Sequence, residues 1–218
     1  MERYLDGQEL DAHEVAAALK TAVTNGEVFP VACGVASKNL GPHALLDLLV
    51  EGVPSPAKKG SPIDVDGANI ALFVFKTVAD PFAGRINLFR VLKGTVTPEV
   101  TLVNLRNKSK ERPGSLLELQ GKEHKPTGEF VEGDIGAVAK LKEAQTGDLM
   151  ADKEVTTDVP EIGFPDAVMS FAITPKSKGE EEKVAAAIKR LAEEDPTLRL
   201  RRDPQTGEEI LSGMSQMH

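Results

Sequence analysis

Tryptophan is absent from the 218 residues, there is one tyrosine, and aromatic residues amount to 4%. A base-stacking platform of the kind that grips single-stranded nucleic acid is therefore not expected. Cysteine is almost absent: Cys33 is the only one. A disulfide framework cannot form, which fits a reducing cytoplasm. No stretch approaches the ~18 consecutive apolar residues of a membrane span. The opening Met1–Asp6 has no apolar core of a secretory signal. Excess positive charge is missing as well. Thirty-four Asp and Glu outnumber 26 Lys and Arg, giving a net charge of -8. The chain as a whole is not an electrostatic nucleic-acid binder, so an RNA contact would need a local basic patch. The four histidines, His13, His43, His124 and His218, show no metal-ligand spacing with Cys33. They are too few for a Ser/His/Asp set, so no metal site and no catalytic residue is expected. Cys33 itself lies in an apolar run and reads as a small core residue.

What is present is ordinary for a soluble globular protein: 40% hydrophobic and 28% charged residues. The length suits one large domain or two small ones. The N-terminal block reads as helix, strand, helix. Asp11 with Glu14 predicts a capping box, and Val15, Leu19 and Val23 line one helical face. Asn25-Gly26 predicts a left-handed stop. Val28–Cys33 predicts a buried strand. Gly41-Pro42 opens a second helix with Leu45, Leu46, Leu48, Leu49 and Val50, which Gly52 ends. One strand with two helices is too small to bury its own faces and needs a sheet to join. That expectation makes the chain a piece of a larger protein.

Residues 53–68 read as a linker containing Pro54, Pro56 and Pro62 with Lys58, Lys59 and Gly60. From Asn69 to Asp152 short β-prone runs follow one another: 70–78, 86–92, 100–103, 116–119 and 135–141. Glycines 84, 94, 114, 121, 133 and 147 punctuate them. Strands with regular turns and no intervening helix predict a closed barrel. The last block reads β-α-β-β. Val168–Ile173 is a strand, and Ser177 with Glu180 predicts a second capping box. Val184, Ile188, Leu191 and Ala192 form a helical stripe ended by Asp195-Pro196, and a hairpin runs from Leu198 to Ser212. A split β-α-β layer normally continues with another helix and strand, a second expectation of truncation.

The stretch Gly84-Arg85-Ile86-Asn87-Leu88-Phe89-Arg90-Val91-Leu92-Lys93-Gly94-Thr95-Val96, preceded by Phe75–Ala83, resembles the barrel signature of translational GTPases, elongation factor G in particular. Gly133–Val138 and Thr146-Gly147-Asp148-Leu149 extend the likeness. So do Ser170–Pro175, Leu191–Pro196 and Gly213–His218, although the family has Gly-Glu-Leu-His where Ser215, Gln216 and Met217 stand here. Pro30–Gly34, Lys38–Gly41 and Val53–Pro56 carry it into the first block. The resemblance implies a multidomain α/β plus β fold. Residues 1–52 would be the C-terminal edge of a P-loop GTPase domain. Residues 53–68 would be a linker and 69–152 the translation-factor β-barrel of domain II. Residues 160–218 would be a partial, ferredoxin-like α+β domain III.

The family's hydrolase chemistry needs Gly-x-x-x-x-Gly-Lys-Ser/Thr, whose amides and lysine hold phosphates. No such string occurs here. Asp64-Val65-Asp66-Gly67 and Asn107-Lys108-Ser109-Lys110 match short GTPase patterns only by chance, because each lies in the wrong block. The chain alone is not expected to hydrolyse GTP, and GTP with Mg is implied for the intact parent only. The resemblance places a residual guanine contact at Val35, Ala36 and Ser37, through a backbone N–H at Ala36. Val35 stands where the family has a serine.

Two basic segments remain. Between Asn104 and Lys125 six cations face three glutamates, a net +3. Arg106, Lys108, Lys110 and Arg112 are the candidate RNA contacts there. Arg199, Arg201 and Arg202 form the second, with Lys176 and Lys178 as lesser candidates. The implied role is a relay between nucleotide state and the ribosome during translocation in the cytoplasm. Implied partners are ribosomal RNA and proteins, with no membrane and no DNA. The alternatives are a GTP-independent RNA- or protein-binding module, or a ribosome-protection or recycling-type paralogue.

Overall fold

The computed structural model describes residues 2–7, 9–56, 63–80, 84–159, 161–177 and 179–218. The expectations for Lys58, Lys59, Gly60 and Pro62, for residues 81–83 and for Lys178 lie outside the described residues. Two compact units divide the chain, Met1–Gly60 and Ser61–His218. Among the described residues no helix is long and apolar enough to cross a membrane.

The first unit holds α1 (Glu2–Leu5), α2 (Ala12–Asn25), a 3-10 turn (Ala36–Lys38) and α3 (Pro42–Gly52). Asp11 caps α2, its carboxylate accepting from the His13 N–H at 3.2 Å. Gly26 stops the helix at φ 76, where a side chain would be strained, and its N–H donates to the Val23 carbonyl. Gly41 (φ 86) and Pro42 open α3 as the sequence predicts. The predicted strand over Val28–Cys33 does not form. The segment is extended but enters no ladder, with Phe29 80% and Val31 89% exposed. Cys33 is exposed rather than a core residue. The reason is non-local: β-prone residues become a strand only against a partner edge, and none of the described residues supplies one. Neither α2 nor α3 contains a buried residue.

In the second unit the glycine-punctuated runs become β1 (Ala71–Asp80), β2 (Gly84–Lys93), β3 (Thr95–Val96), β4 (Leu102–Asn104) and β5 (Lys110–Glu111). There follow β6 (Leu116–Gln120), β7 (Glu123–Thr127), β8 (Phe130–Val131), β9 (Ile135–Ala139) and β10 (Leu149–Ala151). Eight of them form one antiparallel sheet in the order β5-β4-β10-β1-β2-β9-β6-β7, and β3 pairs with β8. The sheet coils on itself. Leu102 of β4 and Leu116 of β6 stand near opposite ends of the strand order, yet share one core with Leu72, Phe89, Val91 and Met150. Among the described residues no ladder joins β5 to β7, so the predicted closure is by side chains around a common core rather than by hydrogen bonds. Phe89 meets Phe130 edge-to-face at 5.5 Å. Asp152 ties the ends together, accepting from the Asn69 N–H (3.0 Å), Asn69 Nδ2 (2.9 Å) and the Ile70 N–H (3.3 Å).

The last block has the predicted β-α-β-β order: β11 (Met169–Ile173), α4 (Glu181–Glu194), β12 (Arg199–Arg202) and β13 (Glu209–Gly213). Its sheet order is β11-β13-β12. The Ser177–Glu180 capping box does not form. Gly179, at φ 88, turns the chain first, and Glu180 becomes the cap residue without a side-chain cap bond. Of the predicted stripe, Ile188 is buried and Leu191 is 53% exposed. Asp195 ends α4 and accepts from the Thr197 N–H and hydroxyl at 2.9 and 2.6 Å.

Candidate functional site

The residues singled out by sequence fall into separate units. Val35, Ala36 and Ser37 lie in the first, and the four cations of 106–112 in the second. The loop of the first unit is closed by a backbone pair. Val35 donates to the Leu40 carbonyl at 2.9 Å, and Leu40 returns the bond to Val35 at 3.2 Å. Inside it, Lys38 donates to Val35 (3.0 Å) and Asn39 to Ala36 (3.0 Å), with Asn39 left-handed at φ 53. These are the turn's first donors, so the N–H groups of Ala36 and Ser37 precede them and stay outside its bonding. Glycine is needed on both sides: a Cβ on Gly34 would meet the Leu40 carbonyl at 3.1 Å, and one on Gly41 the Cys33 carbonyl at 3.0 Å. The loop therefore presents two adjacent amide donors on a tight, backbone-braced turn. That geometry suits a carbonyl or anionic oxygen.

The basic segment is less free than its sequence suggests. The Arg106 guanidinium grips Asp148 through Nε to Oδ1 (2.6 Å) and Nη2 to Oδ2 (3.0 Å). That hydrogen bond first, then burial working against it and the charge of Asp148, leaves the guanidinium pKa raised above its ordinary value. Asp148 is 2% exposed and also accepts from Asn104 Nδ2 (2.6 Å) and the Gln145 N–H (2.9 Å). Arg106 thus neutralises a buried carboxylate through Nε and Nη2, while its side chain stays half exposed. Arg112 donates to the Thr101 hydroxyl at 3.0 Å, both groups being exposed. Lys108 sits at φ 64 in the β4–β5 turn, its Nζ 3.9 Å from Glu154, and Lys110 is exposed on β5. All four cations, Arg106, Lys108, Lys110 and Arg112, are exposed, Arg106 with its fork engaged on Asp148.

The two chance patterns fold as turns. Asp64 Oδ1 accepts from the Asp66 N–H at 2.9 Å, and Asn107 Oδ1 from the Ser109 N–H at 3.0 Å. Of the second basic segment, Arg199 meets Asp166 at 3.0 Å and Arg202 Nε donates to the Gly207 carbonyl at 3.1 Å. Arg201 lies 3.8 Å from Asp203. Among the described residues no group of three or more His, Cys, Asp or Glu is placed to hold a metal ion. Sequence reading missed Asp148 and Asn104, the buried pair that fixes Arg106. An Asn and an Asp 44 positions apart carry no local signal of their contact.

Comparison with known proteins bears on the same blocks. Residues 69–153 match the family model for elongation factor G domain 2, and residues 164–218 match that for elongation factor G, domain III. A crystal structure of a protein from Thermus thermophilus superposes with a TM-score of 0.82 at 29% identity. The match covers 100% of this chain and 32% of that one, so the chain spans about a third of the length of this relative. The two matched stretches come in the family's order and take in the coiled sheet and the β-α-β-β block, and the chain belongs to the elongation factor G family.

Proposed function

We propose that this chain is the relay portion of a ribosome-dependent translational GTPase, coupling nucleotide state to ribosome contacts during translocation. Residues 1–52 are the end of its GTP-binding domain, 53–68 the linker, 69–152 the domain II barrel and 160–218 the first part of a ferredoxin-like domain III. The observation that carries this reading is the first unit. Its two amphipathic helices bury no residue, which is the condition of elements whose sheet is contributed from outside them.

In the intact protein GTP with Mg supplies the phosphoryl chemistry, and this chain's residues act at the base end. The Ala36 N–H donates to the guanine oxygen. The Val35–Leu40 backbone pair braces the turn. Lys108, Lys110 and Arg112 meet ribosomal RNA phosphates, and Arg106 holds their hairpin in shape. GTP binding then biases the arrangement of domains through their interfaces.

The coding DNA on both sides tests this. An open frame upstream encoding Gly-x-x-x-x-Gly-Lys-Ser/Thr, then Asp-x-x-Gly and Asn-Lys-x-Asp, is the expected result. An in-frame stop just before Met1 overturns it. In the intact protein, Lys108→Ala with Lys110→Ala is expected to weaken ribosome co-sedimentation and to lower the salt slope by about 1–2.

A further inference from the structure

The turn that carries the Ala36 N–H buries none of its residues, with Val35 44% and Leu40 58% exposed. The bonds that shape it run between backbone groups. Its form therefore rests on how closely its two ends approach, and those ends are Gly34 and Gly41. A Cβ on Gly34 would stand 3.1 Å from the Leu40 carbonyl oxygen. One on Gly41 would stand 3.0 Å from the Cys33 carbonyl oxygen and 3.2 Å from the Gly34 Cα. The atoms in the way belong to the backbone, so they cannot yield as the tip of a flexible side chain does. A methyl at either position has to move the chain by a few tenths of an ångström.

That approach is coupled to the amide donor through one peptide plane. The Leu40 carbonyl that a Cβ on Gly34 would press accepts from the Val35 N–H at 2.9 Å. The Val35 carbonyl in turn accepts from the N–H groups of Lys38 (3.0 Å) and Leu40 (3.2 Å), so two bonds fix its direction. A trans peptide is rigid and planar, with N–H opposed to C=O. The Val35 carbonyl and the Ala36 N–H share one such unit, so the carbonyl points into the turn and the N–H points out of it. At the other end the Gly41 carbonyl accepts from the Leu45 N–H at 3.0 Å, which anchors the approach to the first turn of α3.

We propose that Gly34 and Gly41 are positioning residues for base recognition. Their close approach sets the Val35–Ala36 peptide plane, and with it the direction in which the Ala36 N–H meets an oxygen at C6 of a purine. This role rests on the proposed contact between Ala36 and the guanine oxygen. It adds the residues that set the geometry of that contact, and it confines their effect to one atom of the base rather than to nucleotide affinity at large.

Isothermal titration of the intact protein with three diphosphates tests the role. GDP and inosine diphosphate carry the C6 oxygen. The diphosphate of 2-aminopurine riboside lacks it and keeps the ribose and phosphates. Gly34 lies outside the left-handed region, so Gly34→Ala adds a methyl without backbone strain. It is expected to weaken GDP and inosine diphosphate about three- to ten-fold, the worth of one hydrogen bond, and to leave the analogue unchanged. Gly41→Ala, at φ 86, is expected to show the same pattern with a lowered unfolding midpoint. Gly26→Ala strains the end of α2 (φ 76) and is expected to lower the midpoint while leaving all three affinities unchanged. Equal losses for all three nucleotides in Gly34→Ala overturn the positioning role, because the glycine then only keeps the loop folded. Unchanged affinities for all three overturn it as well. A wild type that binds the analogue as tightly as GDP overturns the Ala36 contact itself, and the positioning role with it.

Discussion

At the scale of single residues, charge in the sequence and charge at the surface prove to be different quantities. Arg106 belongs by sequence to a basic patch, but its half-exposed guanidinium is bonded to the buried carboxylate of Asp148. Arg106→Ala leaves that carboxylate with the Asn104 amide and the Gln145 N–H but no cation. Loss of stability of about 1–3 kcal/mol is expected by urea unfolding. Glu111 does comparable positioning work, its carboxylate accepting from the Lys142 and Glu143 N–H groups at 2.5 and 3.2 Å.

Two other carboxylates contribute to the acid behaviour. The Thr197 hydroxyl, then against it burial, then the Thr197 N–H and His218 leave Asp195 below the usual carboxylate range. Burial pushes Asp152 up, but the donors from Asn69 and Ile70, with Lys153, outweigh it and hold it low as well. A carboxyl depressed on folding contributes stability above its unfolded pKa of about 4. That contribution disappears as pH falls through the depressed folded value. Denaturation midpoints of the wild type are expected to drop below about pH 4, and Asp152→Asn to flatten the drop. An equal slope in that variant would show that Asp152 is not one of the linked groups.

At the scale of elements, what was legible in the sequence was whatever is decided locally. Gly26 at φ 76 and Gly41-Pro42 mark helix ends where they were expected, because a left-handed residue and a proline act on their own backbone. The places where strands begin and end along the chain follow the glycine punctuation for the same reason. Pairing is not local, and there the reading failed. Val28–Cys33 has strand-forming residues without a ladder, and Ser177 loses its capping role to a turn at Gly179. The loop at 35–37 was located by resemblance, but the Val35–Leu40 bridge that shapes it is a backbone contact with no side-chain signature.

One glycine could not be interpreted from sequence at all. Gly136 lies in β9, where a Cβ would run into the ring of Phe130. Gly136→Ala is expected to cost about 1–3 kcal/mol of stability through this overpacking. Phe130→Leu in the same background should recover part of it, and an additive loss in the double variant would refute the clash.

At the scale of the whole molecule, the two units differ in how they are held together. The second contains a contiguous buried core with Phe89, Leu72, Met150 and Val74 at its centre. In the first, Phe29, Val31, Leu46 and Val50 are each more than half exposed. Amide exchange is expected to separate them, since local stability follows buried apolar contact. Amides of α2 and α3 should exchange orders of magnitude faster than those of β1 and β2. Uniform protection across the chain would contradict the burial seen here.

The pairing of β1 with β10 also sets a clock. Ala71 lies opposite Ala151, and the Asn69 amide bonds to Asp152 across 83 positions. During synthesis β1 emerges about 80 residues ahead of the strand that completes its second edge. At ~5–20 residues per second this edge waits roughly 4–16 s before it is covered. The hairpin with β2 can form meanwhile, but the side of β1 that β10 will occupy offers open hydrogen-bonding groups to any nascent neighbour. Translation speed across residues 71–151 thus governs how long a polysome carries unfinished barrels side by side.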